Sequence, residues 1–371
     1  MATFLDDILR EIFFRLSIRP LGRFRCIRKS WKSLLTKPPL IKAYIERSIK
    51  LDKFDLLKYD LDNFSRVRIC YSPENQLSDL DISFIEDGEK FKLIDSYNGI
   101  VCLSTLDCKN PHHSKIFLWN PSTSENIALS QPSFHVFNFV GFGFDATSGH
   151  PDDFKVVNVN LYFEQCQNYT SLVDVYSFRR NCWKQLGNIF PPSLTQRIGN
   201  QVIFENFICW CSYFRRNHGT VTSLILFDVV NDVFREIALP DMMPPEEKHI
   251  GLLDGCLSLT THNSLTRQCE VWILKEFSIR ESWTKLYSFG LFTRSIGRYW
   301  PVGFADSGRV FFVKSTHVGS LLESSKYLVL YSLQHEKFEA FEVKVDSYRS
   351  TRLVTCVESL ISLSSAIGVE H

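Results

Sequence analysis

Two short motifs contain residue types that bind metals or phosphates, and both lack the spacing that such sites require. Cys108, His112 and His113 lie close together in a polar stretch, but no second ligand pair follows at the spacing of a zinc site. The run 141–145 (Gly-Phe-Gly-Phe-Asp) alternates glycine with phenylalanine and precedes no helical pattern, so it predicts a strand and not a phosphate-binding loop. No set of nucleophile, base and orienting group can be assembled. The sequence therefore predicts a protein with no metal, no cofactor and no catalytic residues.

The cysteines and the charge narrow the class of protein further. Eleven cysteines form an odd, scattered set without a Cys-X-X-Cys pair, which predicts reduced thiols and a location in the cytoplasm, the nucleus or both. The 371-residue chain has a net charge of +1, which argues against nucleic acid as its main partner. It contains no run of 18 uncharged apolar residues, which argues against membrane insertion.

The first 50 residues differ from the rest in charge and in period. They hold twelve Lys or Arg and only four acidic residues, so the remaining chain is acidic. Three helices are predicted from the apolar spacing and the prolines. The first contains Leu5, Ile8, Leu9, Ile12, Phe13 and Leu16, the second begins at Pro20 and contains Leu21, Phe24 and Ile27, and the third runs from about Lys29 through Trp31, Leu34 and Leu35 to a stop before Pro38.

These helices form a unit of about 45 residues, and a unit of that size has little interior in which to bury so many large side chains. The apolar stripe is therefore expected to dock on a partner surface. An ordinary core is the usual role of such a stripe, and only the small size of the unit argues against it here. A nucleic-acid interface is disfavoured because the stripe is apolar where a recognition helix needs polar residues that read bases.

From about residue 98 the pattern changes to short strands that repeat. Each repeat has an apolar strand ending in an aromatic anchor, a polar turn and a second hydrophobic landmark. The anchors are Trp119, Tyr176, Phe227, Trp272 and Tyr331, spaced 45 to 59 residues apart, and the landmarks are Ile127, Trp183, Phe234, Trp283 and Phe338. Glycines between apolar residues at 140–142, 250–252 and 302–304 suit the innermost strand of a radial blade, where backbones approach closely.

This repeat predicts an all-β propeller, and its period predicts six blades. A blade that closes the ring would join the strand at 66–70 to strands near the carboxyl terminus, at 353–357 and 360–363. Propellers bind their partners through loops that vary between blades. The candidate loops are 109–114, 214–220, 242–249 and 294–300, and the candidate target-binding residues are Arg215, Arg216, His218, Arg298, Tyr299 and Trp300.

The amino-terminal pattern resembles the F-box, above all in the run Arg-Phe-Arg-Cys-Ile-Arg-Lys-Ser-Trp at 23–31, which is similar to plant F-box proteins. The body resembles the F-box-associated, kelch-related domain of the same plant proteins. The matching segments include 98–103, 118–123, 141–145, 153–157, 253–257 and 282–285, in family order. The resemblance implies a three-helix F-box at 1–45, a linker with the start of the first blade at 46–95, and a propeller over 96–371 to which residues from about 60 can contribute.

The resemblance also implies a function. F-box proteins are substrate adaptors of ubiquitin ligases, in which the F-box binds a Skp1-like protein, and through it the cullin and RING subunits, while the second domain holds a target protein. The residues that would bind Skp1 are Leu5, Ile8, Ile12, Leu16, Pro20, Leu21, Phe24 and Trp31. The adaptor role is non-catalytic, and the target is not identified by the sequence.

Two positions depart from the F-box pattern. The family usually opens its F-box with Leu-Pro and has another Pro after the leucine at position 16, and here these places hold Phe4-Leu5 and Ser17. Their loss is expected to weaken the docking of the first helix. Two alternatives therefore stay open: a binding scaffold or decoy that does not cause degradation, and a propeller enzyme or sugar-binding protein.

Overall fold

The computed structural model describes residues 2–16, 18–50, 54–60, 67–71, 78–86, 89–106, 114–129, 138–163, 169–191, 197–216, 219–240, 242–244, 248–263, 266, 268–276, 282–290, 297–306, 308–317, 324–345 and 351–364. Within these ranges, four helices are followed by twenty-four strands. None of the described helices is long and apolar enough to cross a membrane.

The helices occupy the first 50 residues. Their bounds are α1 (Ala2–Arg15), α2 (Ile18–Phe24), α3 (Lys29–Leu35) and α4 (Pro38–Lys50). The first and third match the predicted helices. The second begins two residues before Pro20, which remains within the first helical turn, where proline is tolerated.

The prediction of three helices was wrong, because α4 was not anticipated. Pro38 and Pro39 end α3 as expected, but Pro38 is also the first residue of α4, a position that proline favours. Buried side chains at Leu40, Ile41, Tyr44, Ile45 and Ser48 give α4 a continuous inner face. The predicted boundary at residue 45 therefore falls inside a helix.

The strands form six four-stranded antiparallel sheets, and the prediction of an all-β propeller is confirmed. Five sheets consist of four consecutive strands. Sheet 2 contains β4 (Lys90–Tyr97), β5 (Ile100–Leu106), β6 (Ile116–Asn120) and β7 (Glu125–Ala128), and sheet 3 contains β8 (Asn138–Phe144), β9 (Phe154–Phe163), β10 (Tyr169–Ser177) and β11 (Cys182–Gly187). Sheet 4 contains β12 (Arg197–Phe204), β13 (Phe207–Arg216), β14 (Gly219–Asp228) and β15 (Val233–Ala238), and sheet 5 contains β16 (Lys248–Leu253), β17 (Cys256–Asn263), β18 (Gln268–Leu274) and β19 (Trp283–Gly290). Sheet 6 contains β20 (Gly297–Asp306), β21 (Arg309–His317), β22 (Ser324–Ser332) and β23 (Lys337–Val345).

Sheet 1 joins the two ends of the chain. Its order is β24 (Thr351–Val357), β1 (Phe54–Asp60), β2 (Val67–Tyr71) and β3 (Ser78–Asp79). The innermost strands β4, β8, β12, β16, β20 and β24 contact one another in sequence, and β24 contacts β4, so the ring is closed. The expected closing strands at 66–70 and 353–357 are present, but residues 360–363 form no strand.

The repeat found in the sequence corresponds to the third and fourth strands of the sheets. All five aromatic anchors lie on third strands and are buried. In three sheets the anchor pairs directly with its landmark across the ladder, as Tyr176 with Trp183, Phe227 with Phe234 and Tyr331 with Phe338. Trp119, Trp272 and Trp283 are buried in apolar clusters between neighbouring sheets, and Trp183 packs against another such cluster.

The predicted turns also occur. Asn98 and Gly99 have φ of 49° and 77°, and Asp254 and Gly255 have φ of 50° and 73°. Positive φ at both central residues is the two-residue hairpin turn that Asn-Gly and Asp-Gly favour. Cys209, Trp210 and Cys211 alternate along β13, which places Trp210 in one core cluster and both thiols in another.

The helices do not form a separate core. Their buried side chains belong to the same apolar cluster as Ile100, Cys102, Ile116 and Leu118 of sheet 2 and the chain end at 360–363. The expectation that this unit is too small to bury its own stripe was therefore incomplete, because the propeller supplies part of the missing interior.

Glycine on an innermost strand is predicted to be essential at Gly141 and dispensable at Gly303. A Cβ at Gly141 would lie 2.4 Å from the Trp210 ring, whereas one at Gly303 meets nothing within 4 Å. Overpacking is expected to make Gly141→Ala less stable by about 1–3 kcal/mol. Gly303→Ala is the matched control and should stay within about 0.5 kcal/mol of the wild type. Urea unfolding followed by tryptophan fluorescence measures both, and equal midpoints for the two variants would contradict the close approach.

The cysteines are predicted to fall into two reactivity classes. Cys26 and Cys182 are exposed, whereas Cys102, Cys209, Cys211, Cys269 and Cys356 are buried and form no disulfide. Burial raises the pKa of Cys356 to about 12 and also raises the pKa of Cys102, Cys209 and Cys269, so these groups stay protonated at neutral pH. The thiolate is the form that reacts with alkylating agents. Iodoacetamide at pH 8, mapped by mass spectrometry, should modify Cys26 and Cys182 in the folded chain and the buried five only in denaturant. Fast labelling of Cys209 in the folded chain would contradict this assignment.

Candidate functional site

The outer face of α1 presents two large apolar side chains to solvent. Ile8 is 42% exposed and Ile12 is 47% exposed, and they lie one turn apart on the same face of the helix. Glu11 and Arg15 are exposed beside them. This pair, which we call the docking face, is the part of the predicted stripe that the rest of the described chain leaves open.

The other predicted docking residues have different positions. Leu21 is 0% exposed and belongs to the core shared with the propeller. Leu16, Phe24 and Trp31 are half-buried and pack against that same core, and Pro20 is half-buried. The side chain of Leu5 lies outside the described residues. The six predicted residues other than Leu5 and Leu21 are thus solvent-accessible to some degree, and Leu21 is not.

Three aromatic rings hold α1 in place. Phe13 lies on the inner side of α1, with its ring centroid 6.1 Å from Phe24 and 5.8 Å from Trp31, and the Phe24 and Trp31 rings are 5.3 Å apart. Tilted and edge-on rings at such distances attract one another beyond simple burial. Phe24 and Trp31 therefore act by positioning α1, since they contact Phe13 directly behind the docking face.

The part of the chain that follows the docking face has a strongly positive exposed surface. Residues 12–45 contain nine Lys or Arg and no acidic residue. Seven of these side chains are exposed, namely Arg15, Arg23, Arg28, Lys29, Lys32, Lys37 and Lys42. Such a surface accelerates the approach of an acidic partner and makes the rate sensitive to salt. Arg25 is the exception, because its side chain is largely buried against Glu125.

The central channel of the propeller holds a cavity of about 530 Å³. Its wall includes Asp95 of β4, Gln201 of β12 and Phe304 of β20, and Ser48 and Ile49 of α4 line it as well. The Gln201 amide donates to Asp95 Oδ2 and to the Phe142 carbonyl, both at 2.8 Å, and its oxygen accepts from the Phe142 amide at 3.0 Å. These polar groups therefore connect the innermost strands of three sheets.

The predicted target-binding residues are not brought together as an aromatic patch. Tyr299 is 7% exposed, and its ring stacks on Phe338 at 5.2 Å within sheet 6. Trp300 is half-buried against the core between sheets 6 and 1. Both residues lie on β20, where each face of the strand is covered by packed side chains, so the assignment of Tyr299 as an exposed anchor was wrong.

The arginines stay untested as target-binding residues. Arg215 and Arg216 are at the end of β13, paired with Thr220 and Gly219 of β14, and Arg298 is on β20 opposite Ser315. Their side chains lie outside the described residues, as does His218. The candidate metal residues Cys108, His112 and His113 lie outside them too. In the described ranges no group of three or more His, Cys, Asp or Glu is placed to hold a metal ion.

The candidate loops nevertheless share one edge of the propeller. The four segments join second to third strands or fourth strands to the next sheet, and in an antiparallel ladder these strand ends lie at one edge. The turns Asn98–Gly99 and Asp254–Gly255 lie at the opposite edge, where α4 also borders the channel. We call these the far edge and the helix edge. A partner bound by the candidate loops would therefore lie away from the helices.

One residue was missed by the analysis of the sequence. Arg25 is part of a basic run and appeared to belong to a solvated surface, yet burial lowers its pKa while the charges of Glu125 and Cys26 oppose that shift. Its spacing gave a signal, because Arg25 follows Leu21 by four residues and so falls on the buried side of α2 and the turn after it.

Comparison with known proteins agrees with these features. Residues 30–363 match the family model described as the F-box associated beta propeller domain. Among relatives from Arabidopsis thaliana, F-box protein At4g22390 is 27% identical and the alignment covers 77% of this chain and 74% of that protein. F-box protein CPR1 is 25% identical over 78% of this chain and 73% of its own length. F-box/kelch-repeat protein At3g23880 is 24% identical over 79% of this chain and 81% of its own length.

The division between docking and core positions predicts a large loss of stability from one substitution to alanine and a small loss from another. Leu21→Ala should destabilise the helices by about 2–5 kcal/mol, because it leaves a cavity in the shared core. Ile12→Ala removes a side chain that is half exposed and should cost about 0.5 kcal/mol or less. Hydrogen exchange of α2 and α4 in the full chain measures both changes. Equal protection in the two variants would show that Leu21 is not a core residue.

Proposed function

Because the chain belongs to the F-box associated beta propeller domain family, we propose that it is a substrate adaptor of a Skp1–cullin–F-box ubiquitin ligase. In this proposal the docking face on α1 binds a Skp1-like protein, which connects the chain to the cullin and RING subunits. The far edge of the propeller binds a target protein for ubiquitination and degradation. The adaptor is non-catalytic, and it acts by raising the effective concentration of target lysines at the ligase.

The observation that carries the proposal is the exposure of Ile8 and Ile12 on a helix whose other described apolar side chains, Leu9, Phe13 and Phe14, are buried or half-buried. Full burial of an isoleucine is worth about 1.5–3 kcal/mol, so covering the exposed half of each of these side chains would contribute about 1 kcal/mol. The positive surface of the residues that follow α1 suits an acidic partner. The location of the candidate loops at the far edge supports a target site separate from the docking face.

The state of the cysteines supports a reducing environment. None of the eight described cysteines forms a disulfide. We therefore place the function in the cytoplasm, the nucleus or both.

Skp1 binding is tested with the double variant Ile8→Asp, Ile12→Asp in the full chain. Two carboxylates on the docking face should reduce recovery of a co-expressed plant Skp1 at least tenfold without unfolding the chain, because both positions are exposed. Ile49→Asp is the matched control: Ile49 is 56% exposed but lies on α4 at the channel, and its substitution should leave recovery unchanged. Equal recovery by the wild type and the double variant, or none by the wild type, would refute the assignment.

The same double variant is suited to finding the target. Deleting the first 45 residues would uncover apolar surface of the propeller, since the helices share its core. The full-length double variant keeps that core intact and should retain the target without transferring it to the ligase. Proximity labelling with this variant identifies candidates, and their lifetimes with and without a proteasome inhibitor distinguish degradation from a scaffold role. A target whose lifetime depends on neither the chain nor the inhibitor would favour the scaffold.

A further inference from the structure

The chain end after the last strand lies between the helices and the propeller. This C-terminal segment, Glu358–Ser364, follows β24 directly and forms neither helix nor strand beyond a single turn residue. Ser359, Leu360, Ile361 and Leu363 are all buried. Their apolar side chains belong to the cluster that also contains the inner faces of α2, α3 and α4 and part of sheet 2. The segment therefore forms an apolar layer shared by both parts of the molecule.

Sheet 2 binds the backbone of this segment through three side chains. Asn120 is fully buried, and its amide donates to the carbonyls of Ser359 at 3.1 Å and Ile361 at 2.8 Å. Ser122 accepts from the Ser359 amide at 3.2 Å. Glu125 Oε2 accepts from the Leu363 amide at 2.6 Å and from the Ser362 hydroxyl at 2.9 Å. Backbone amides and carbonyls of this segment, which has no regular secondary structure, thus find hydrogen-bond partners in β6, β7 and the turn between them.

The helices bind the same segment from the other side. The Arg25 guanidinium donates to the Leu360 carbonyl and lies 3.9 Å from Glu125 Oε1. Glu358 Oε2 is 3.4 Å from both the Ile18 amide and the Tyr44 hydroxyl, which donate to it. The guanidinium of Arg25 and the carboxylate of Glu125 therefore meet across the segment, and each also holds its backbone.

The fit at the turn between β4 and β5 is close. Gly99 has φ of +77°, and a Cβ there would lie 2.3 Å from Ser359 Cβ and 2.4 Å from the Val357 carbonyl oxygen. Glycine meets both the conformational and the spatial requirement at this position. The start of the C-terminal segment is thereby seated directly on sheet 2.

We propose that the C-terminal segment is a strap that fixes the orientation of the four helices on the propeller. The shared apolar core holds the helices against the propeller, but apolar contacts are not directional. The strap adds hydrogen bonds of fixed direction to both the helices and sheet 2. A fixed orientation of the helices also fixes the direction from the docking face to the far edge. The importance of that direction for ubiquitin transfer rests on the proposed function.

Truncation of the full chain tests the strap. A chain ending at Val357 lacks the segment, and a chain ending at Ser364 is the matched control that lacks only the residues after it. Hydrogen exchange followed by mass spectrometry should show α2 and α4 exchanging at least tenfold faster in the shorter chain. Exchange in β9, β13, β17 and β21 should match the full chain in both. Unchanged protection of α2 and α4 in the shorter chain would overturn the proposal.

Point variants decide the question if the shorter chain does not fold. Asn120→Leu removes both amide donors to the segment, and Glu125→Ala removes its acceptor and the partner of Arg25. Each should speed exchange in α2 and α4 at least threefold. Glu86→Ala is the control at the other edge of sheet 2, because its ion pair with Lys115 lies at the start of β6, is exposed and does not contact the strap. Wild-type exchange in both Asn120→Leu and Glu125→Ala would overturn the proposal.

Recovery of Skp1 by the same chains separates the two proposals. Because the docking face lies on α1 and is not part of the strap, the Glu125→Ala chain should recover Skp1 as the wild type does. If no chain recovers Skp1 while exchange changes as expected, the strap stands and the proposed function fails. If Skp1 is recovered and exchange does not change, the proposed function stands and the strap fails.

Discussion

The pairing of β1 with β24 is the interaction on which the rest of this structure depends. Seven residues of one chain end pair in antiparallel register with seven of the other, from Phe54 opposite Val357 to Asp60 opposite Thr351. This ladder closes the ring, and its register also brings residues 50 and 358 to the same edge of the propeller. The helices that precede β1 and the segment that follows β24 therefore emerge side by side. Without that register, neither the shared core nor the contacts of Glu358 with α2 and α4 would form.

The helices and the propeller are one cooperative body in this arrangement. Leu21, Leu35 and Tyr44 pack in the same apolar cluster as residues of sheet 2. A helical unit of about 50 residues buries too small a fraction of its surface to be very stable alone, and the propeller makes up the difference. This also explains why only part of the predicted stripe is open to solvent: the inner side of α1 is committed to Phe24 and Trp31, and only Ile8 and Ile12 face outward among its described apolar positions.

Much of the fold could be predicted from the sequence because its signals are local and repeated. The aromatic anchors, the Asn-Gly and Asp-Gly turns and the glycines of the innermost strands recur in several sheets, so one error in a single repeat does not change the architecture. The helix α4 was missed because Pro38 was interpreted only as the residue that stops α3. It is also the first residue of α4. Tyr299 was misassigned because an arginine and two aromatics in a row are typical of an interface, whereas alternation along β20 sends both rings into packed layers. The role of residues 360–363 depends on contacts with Asn120 and Arg25, more than 230 positions away in the chain, and no local pattern encodes it.

The separation of the two edges sets a distance that any ligand of the propeller has to accommodate. The innermost strands, from six residues in β16 to ten in β20, span about 20–33 Å at about 3.3 Å per residue, which sets the scale of the distance between the far edge and the helix edge. A small, compact protein bound at the far edge would be separated from the helices by the propeller itself. Under the proposed function, long or flexible targets whose lysines extend past the outer strands would then be favoured over compact ones, whatever their affinity for the loops.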